Sequence, residues 1–153
     1  MIRVLFVCLG NICRSPMAEA VFAHKVRAAG LGGTIIADSA GTGDWHIGHA
    51  PHPGTRQVLE ANAIDYAHHA RLITAEDLQA FDYVLTMDDS NLANVRRLAQ
   101  GRAKVVPFLS YAPDSGVTEV PDPYLTGNFD EVYTLISEAA DGLLAAIRRE
   151  HGL

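Results

Sequence analysis

The 153-residue chain is poor in cysteine, poor in basic residues, and has no apolar run long enough to cross a bilayer. Its only two cysteines, Cys8 and Cys13, fall in one short segment, which excludes the spaced framework of a disulfide-stapled secreted domain and points to chemistry instead. Twelve basic against eighteen acidic residues leave a net charge of −6, so nucleic acid and anionic membrane surfaces are poor partners and any positive site must be local. Internal repeats, low-complexity tracts and flexible linkers are also missing. The apolar stretch near the N-terminus is too short for a signal-peptide core, so the chain reads as cytoplasmic, without membrane insertion. With 48% apolar residues, the length fits one domain over 1–153.

What is present is an alternation of strands and helices. Ile2 to Val7 is a continuous β-branched and aromatic run, as in a strand buried on both faces. Ser15 and Pro16 read as the cap and first position of a helix that stops at Gly30. Further strands are expected at 34–37, 83–86 and 104–106, with helices at 54–62 and 89–100 and a short one opened by Thr74 and Asp77. Asn128 with Glu131 has the form of a capping box for a last helix whose apolar face includes Val132, Ile136, Leu143 and Ile147. This pattern predicts an α/β fold with a mostly parallel sheet and helices on both faces. Two long loops, 39–54 and 110–128, and the segment after the first strand would then gather at the carboxyl ends of the strands, where ligands bind.

That segment, CLGNICRSP, has the makings of a phosphate-binding loop between the first strand and first helix. Leu9, Gly10, Asn11, Ile12, Cys13 and Ser15 would surround a tetrahedral anion with backbone N–H groups at a helix N-terminus, Gly10 and Asn11 tolerating the left-handed angles of a tight curl. A cysteine on the floor of such a positive cup is the expected nucleophile. Arg14 offers a planar fork that binds two phosphoryl oxygens at once, and Ser15 can both cap the helix and offer its hydroxyl to the sulfur. Expelling a phenolate also needs a proton donor, and Asp122, held stiff between Pro121 and Pro123, is the candidate general acid.

Taken in order, VCLGNICRSPMAEA, DSAGT, HHARLIT, FDYVLTMDDSNL and PDPY resemble the low molecular weight protein tyrosine phosphatases across essentially the whole chain. The resemblance implies a four-stranded parallel sheet, with Cys8 as nucleophile, Arg14 as phosphate clamp and Asp122 as general acid and then base. It implies no metal or organic cofactor. It further implies that Asn11, Ser39 and His68 hold the loop in shape with Asp88 near His68, and that Trp45 and Tyr124 wall the pocket. The substrate class implied is a phosphotyrosine-containing protein or peptide, a tyrosine kinase among the candidates, with inorganic phosphate as product. Cys13 can trap an oxidised Cys8 as a disulfide, a redox protection that irreversible loss of activity after peroxide would contradict.

Three histidines, His46, His49 and His52, are interleaved with Gly and Pro and so are expected beside the pocket rather than on a metal. Thiol-dependent arsenate reductases share the anion loop but relay a disulfide along later cysteines, and none follows Cys13. The related phosphoarginine phosphatases carry threonine where Ile12 stands. A non-catalytic phosphopeptide reader would have lost the nucleophile, the arginine or the acid, and all three are kept.

Overall fold

A strand as apolar as Ile2–Cys8 (β1) is stable only with both faces covered. The computed structural model, which describes all 153 residues, sets β1 inside a four-stranded, all-parallel sheet. Its other strands are Ile35–Gly41 (β2), Tyr83–Thr86 (β3) and Lys104–Pro107 (β4), in the order β2-β1-β3-β4. Helices follow at Arg14–Ala28 (α1), Pro53–Ala61 (α2), Asp77–Ala80 (α3), Asp89–Leu98 (α4), Pro123–Thr126 (α5) and Phe129–His151 (α6).

Strand alternation divides the core in two. Val4, Phe6 and Cys8 face the larger core with residues of α1 and α6, whereas Leu5 and Val7 face the smaller one with Leu78 of α3 and Val95 of α4. Phe6 meets Phe22 and Phe108 edge-on, at 5.5 and 5.1 Å between ring centres. Each of these fully buried rings contributes roughly 1.5–3 kcal/mol relative to exposure.

The chain leaves β1 for β2 on one side and then crosses to β3 on the other, so the strand order reverses at β1. The crevice that such a reversal opens lies beyond the carboxyl end of β1, at Cys8.

Several local expectations are corrected. β2 does not stop at Ala37 but pairs with β1 along its whole length, from Ile2 opposite Ile35 to Cys8 opposite Gly41, which carries Ser39 into the sheet. α1 begins at Arg14, so Ser15 lies inside the first turn and is no cap; Cys13 precedes the helix without a side-chain cap. The box expected at Asn128 and Glu131 does not form, because Asn128 Nδ2 donates to the Glu131 carboxylate rather than either side chain taking a backbone N–H. A capping box stands instead at the start of α4, where Asp88 accepts from Asn91 N at 2.8 Å and Asn91 Oδ1 accepts from Asp88 N.

Candidate active site

Between β1 and α1 the loop closes around the Cys8 sulfur. Asn11 N–H points at Sγ from 3.3 Å and Ser15 Oγ lies 3.0 Å from it. The N–H groups of Leu9, Gly10, Ile12 and Cys13 have no acceptor within the protein, so they remain available to an anion above the sulfur. Asn11 has φ of 57°, the left-handed conformation that an asparagine adopts more readily than most residues. Gly10, expected to share it, does not. It is small for a different reason: a Cβ there would approach within 3.0 Å of the His46 ring. Beneath the loop, a Cβ on Gly41 would lie 2.7 Å from Leu9 O, so the end of β2 sits directly against the loop backbone.

Arg14 is almost wholly buried, its guanidinium fixed from one side. Nη1 donates to Asp88 Oδ2 at 2.8 Å and to Val120 O at 3.1 Å, and Nη2 is 3.6 Å from Asp122 Oδ2. Burial works against the charge, but Cys8, Asp88 and Asp122 outweigh it and raise the Arg14 pKa. Asp88 was expected beside His68. The structure puts it on Arg14, because Asp88 spends Oδ1 on the α4 cap and aims Oδ2 at the guanidinium. Asp122 accepts from Tyr124 N at 3.1 Å through Oδ1, which orients Oδ2 toward Arg14.

The two thiols of the loop are not equivalent. Both are free and buried, but burial and the neighbouring Cys8 push the Cys13 thiol up to about 12. Cys13 therefore stays protonated at neutral pH and does not compete with Cys8 as a nucleophile.

Behind the loop, Asn11 is held at both ends of its amide. Nδ2 donates to Ser15 Oγ at 2.8 Å and Ser39 Oγ at 3.0 Å, while Oδ1 accepts from Arg71 N at 3.0 Å. That backbone donor identifies the atom as oxygen, so His68 Nε2, 2.8 Å away, carries the proton and donates. Burial lowers the His68 pKa, in keeping with a neutral ring. Asn11, Ser39 and His68 are thus brought together as expected.

The network continues to Glu19, a residue without a local sequence signal, whose Oε1 accepts from Ser39 Oγ at 2.7 Å and Tyr66 OH at 2.8 Å. Glu19, Asp38 and His68 lie close enough to resemble a metal site. Their polar atoms are already engaged, Asp38 by Arg71 at 3.1 Å and Glu19 by the two hydroxyls.

Burial pushes the Glu19 carboxyl up to about 7, from 4.5. Between those values the native state keeps a proton that the unfolded chain has released, so the contribution of Glu19 to stability falls as pH rises through this window. Glutamine retains the single oxygen that takes both hydroxyls. In urea melts, Glu19→Gln is expected to gain on wild type by about 2 kcal/mol between about pH 5 and about pH 8. A stability difference that does not change with pH would contradict this assignment.

The pocket above Cys8 has a volume of about 260 Å³, and its lining includes Cys8, Leu9, Gly10, Ile12, Cys13, Arg14, Trp45, Asp122 and Tyr124. Trp45 and Tyr124, 68% and 56% exposed, stand at its rim. His46, expected beside the pocket, also lines it, as does Leu125, which carries no signal in the sequence. His52 accepts from Gly54 N at 3.0 Å to cap α2 and stacks on Phe129 at 5.0 Å, and its ring meets the rim residue Tyr124 edge-on at 5.8 Å, beside the pocket as expected.

A family profile described as low molecular weight phosphotyrosine protein phosphatase matches residues 3–152. A low molecular weight protein-tyrosine-phosphatase of Bacillus subtilis, YfkJ, is 48% identical over the full length of both chains. A fission yeast (Schizosaccharomyces pombe) low molecular weight phosphotyrosine protein phosphatase is 47% identical, covering 95% of this chain and 97% of its own. The crystal structure of YfkJ superposes with a TM-score of 0.95 over 98% of this chain and 96% of that one. A Drosophila arginine phosphatase is more distant at 34% identity, with a TM-score of 0.90 over 95% of this chain and 97% of its own. The chain belongs to the low molecular weight phosphotyrosine protein phosphatase family.

Proposed function

We propose that this chain hydrolyses phosphotyrosine monoesters in proteins or peptides through a phosphocysteine intermediate, within one phosphatase domain spanning 1–153. The observation that carries the reading is the Cys8 sulfur at the start of a loop with four unpaired backbone N–H groups, with Arg14 and Asp122 lining the same pocket. The phosphoryl group sits in this cup with its oxygens on the N–H groups and the guanidinium. The Cys8 thiolate attacks phosphorus as the P–O bond to the phenol breaks, and Asp122 delivers its proton to the leaving oxygen. Asp122, now ionised, takes a proton from water as that water attacks the phosphocysteine. The P–S bond breaks, the thiolate is received by the Ser15 hydroxyl at 3.0 Å and the Asn11 N–H, and inorganic phosphate leaves.

Trp45 and Tyr124 support a tyrosine-sized arm, because rings at the rim can flank a phenyl ring while a short serine phosphate would not reach the floor. Ile12, apolar and lining the pocket, favours the phenyl ester over a charged phosphoarginine. Tyrosine kinases that carry phosphotyrosine fall within the substrate class. Two free thiols also fit a reducing, cytoplasmic setting. No helix is long and apolar enough to cross a membrane.

The role of Asp122 is tested by a leaving-group series. Asp122→Asn is expected to lower kcat/KM for phenyl phosphate, which reports the first step alone, by roughly 10²- to 10⁴-fold, but to cost much less in kcat/KM with nitrophenyl esters, whose phenolates leave unaided. An equal loss across the series would remove Asp122 from the acid role.

A further inference from the structure

A second groove, of about 380 Å³, opens beside the catalytic pocket. Leu9 and Trp45 line both, so the indole is a wall shared between them. Its lining also includes Thr42, Leu72, Arg97 and Leu98. The four large apolar residues are 41% (Leu9), 68% (Trp45), 40% (Leu72) and 42% (Leu98) exposed, and they line one concavity rather than being scattered. Contiguous exposed apolar surface of this kind marks docking sites. Arg97, in the last turn of α4, hydrogen-bonds only the Asn94 side chain, which leaves its charge available at the edge of the groove. The Thr42 hydroxyl is buried without a partner.

We propose that this groove receives the stretch of substrate next to the phosphotyrosine, with an aliphatic side chain packed between Trp45 and Leu98 and an acidic side chain against Arg97. The inference rests on the phosphatase reading and adds to it a preference for sequence. Continuity is the first argument for a substrate peptide. A phosphotyrosine whose phosphorus lies over Cys8 emerges past the Trp45 rim, and an extended chain there advances ~3.4 Å per residue with side chains on alternate faces, so a near neighbour falls into the adjoining groove. Charge is the second. Arg97 favours an acidic residue, while a second copy of this chain, at net −6, is repelled overall. The shared Trp45 wall also couples the two sites, since a filled groove holds the indole against the phenyl ring.

The test is a panel of phosphotyrosine peptides carrying leucine, glycine or lysine in turn at each of the three positions on either side, with and without a neighbouring glutamate. The panel is read as kcat/KM on wild type, Leu98→Glu and Arg97→Glu, with phenyl phosphate as the small reference substrate. At one position leucine is expected to exceed glycine by about fivefold to tenfold, and Leu98→Glu to erase that ratio. Arg97→Glu is expected to reduce the glutamate peptides severalfold, and phenyl phosphate to stay within about twofold throughout. A flat panel on an enzyme that hydrolyses phenyl phosphate, or a leucine preference that survives Leu98→Glu, overturns the groove assignment alone. Failure of wild type to hydrolyse phenyl phosphate overturns the phosphatase reading and this inference with it.

Discussion

Cys8→Ser is expected to lower kcat for an aryl phosphate by on the order of 10⁴-fold or more, while a phosphotyrosine peptide still binds within a few-fold of its wild-type affinity. The two halves of this expectation have separate origins. Binding is carried by the unpaired N–H groups of Leu9, Gly10, Ile12 and Cys13 and by the anchored Arg14, none of which the substitution touches. Turnover, in the proposed mechanism, depends on one sulfur. A serine hydroxyl there is not ionised at neutral pH, and although Ser15 Oγ and Asn11 N–H face the position, no base stands close enough to take its proton. Cys13 offers no rescue because its thiol stays protonated, pushed up to about 12 chiefly by burial. Initial rates in a chelating buffer and calorimetric titration of the peptide check the two halves. Residual turnover within tenfold of wild type would contradict the assignment of Cys8.

The second large effect belongs to Arg14. Arg14→Lys preserves the charge but removes the planar fork, and it is expected to lower kcat by roughly 10²- to 10³-fold with a smaller change in KM. Geometry explains the asymmetry. The guanidinium is tethered at Nη1 by Asp88 Oδ2 and Val120 O, so it meets the phosphoryl oxygens without reorganising as charge builds on them. A lysine has no second arm with which to hold that position, and its ammonium would be drawn to Asp88 at the expense of the phosphate. Asp88→Asn then serves as the positioning control: it should lower kcat less than Arg14→Lys and leave the fold intact, since asparagine can still cap α4. Equal losses in kcat/KM that arise wholly from KM would instead mark Arg14 as a binding residue only.

The proposed reacting groups stand out in the sequence because they are concentrated in one short segment and one Pro-flanked aspartate. A strand, a tight loop and a helix start dictate where Cys8 and Arg14 must point, and Asp122 is stiffened by its own neighbours. The supporting shell was less legible because it is assembled across the chain. Glu19 sits one turn along α1 and meets Ser39 and Tyr66, partners twenty and forty-seven residues away, which no local pattern records.

Asp88 illustrates the same limit. Its capping role is written locally in the spacing to Asn91, but its second oxygen meets Arg14, seventy-four residues away in the chain, because β3, which leads into α4, pairs with β1, which leads into α1. The helix caps at Ser15 and Asn128 misled for a simpler reason: each residue type suits a cap, yet Ser15 is drawn to the Cys8 sulfur and Asn128 to the Glu131 side chain.

The proposed mechanism requires a phosphorylated sulfur, which mass spectrometry of acid-quenched Asp122→Asn during turnover of a nitrophenyl phosphate would detect. That ester leaves without protonation, whereas the second step still lacks its base, so the intermediate should accumulate. One added phosphoryl group is expected, mapped to the peptide containing Cys8 and absent when Cys8 is also replaced by serine. Turnover with no adduct on any residue, or an adduct that persists on another residue in the double variant, would contradict it.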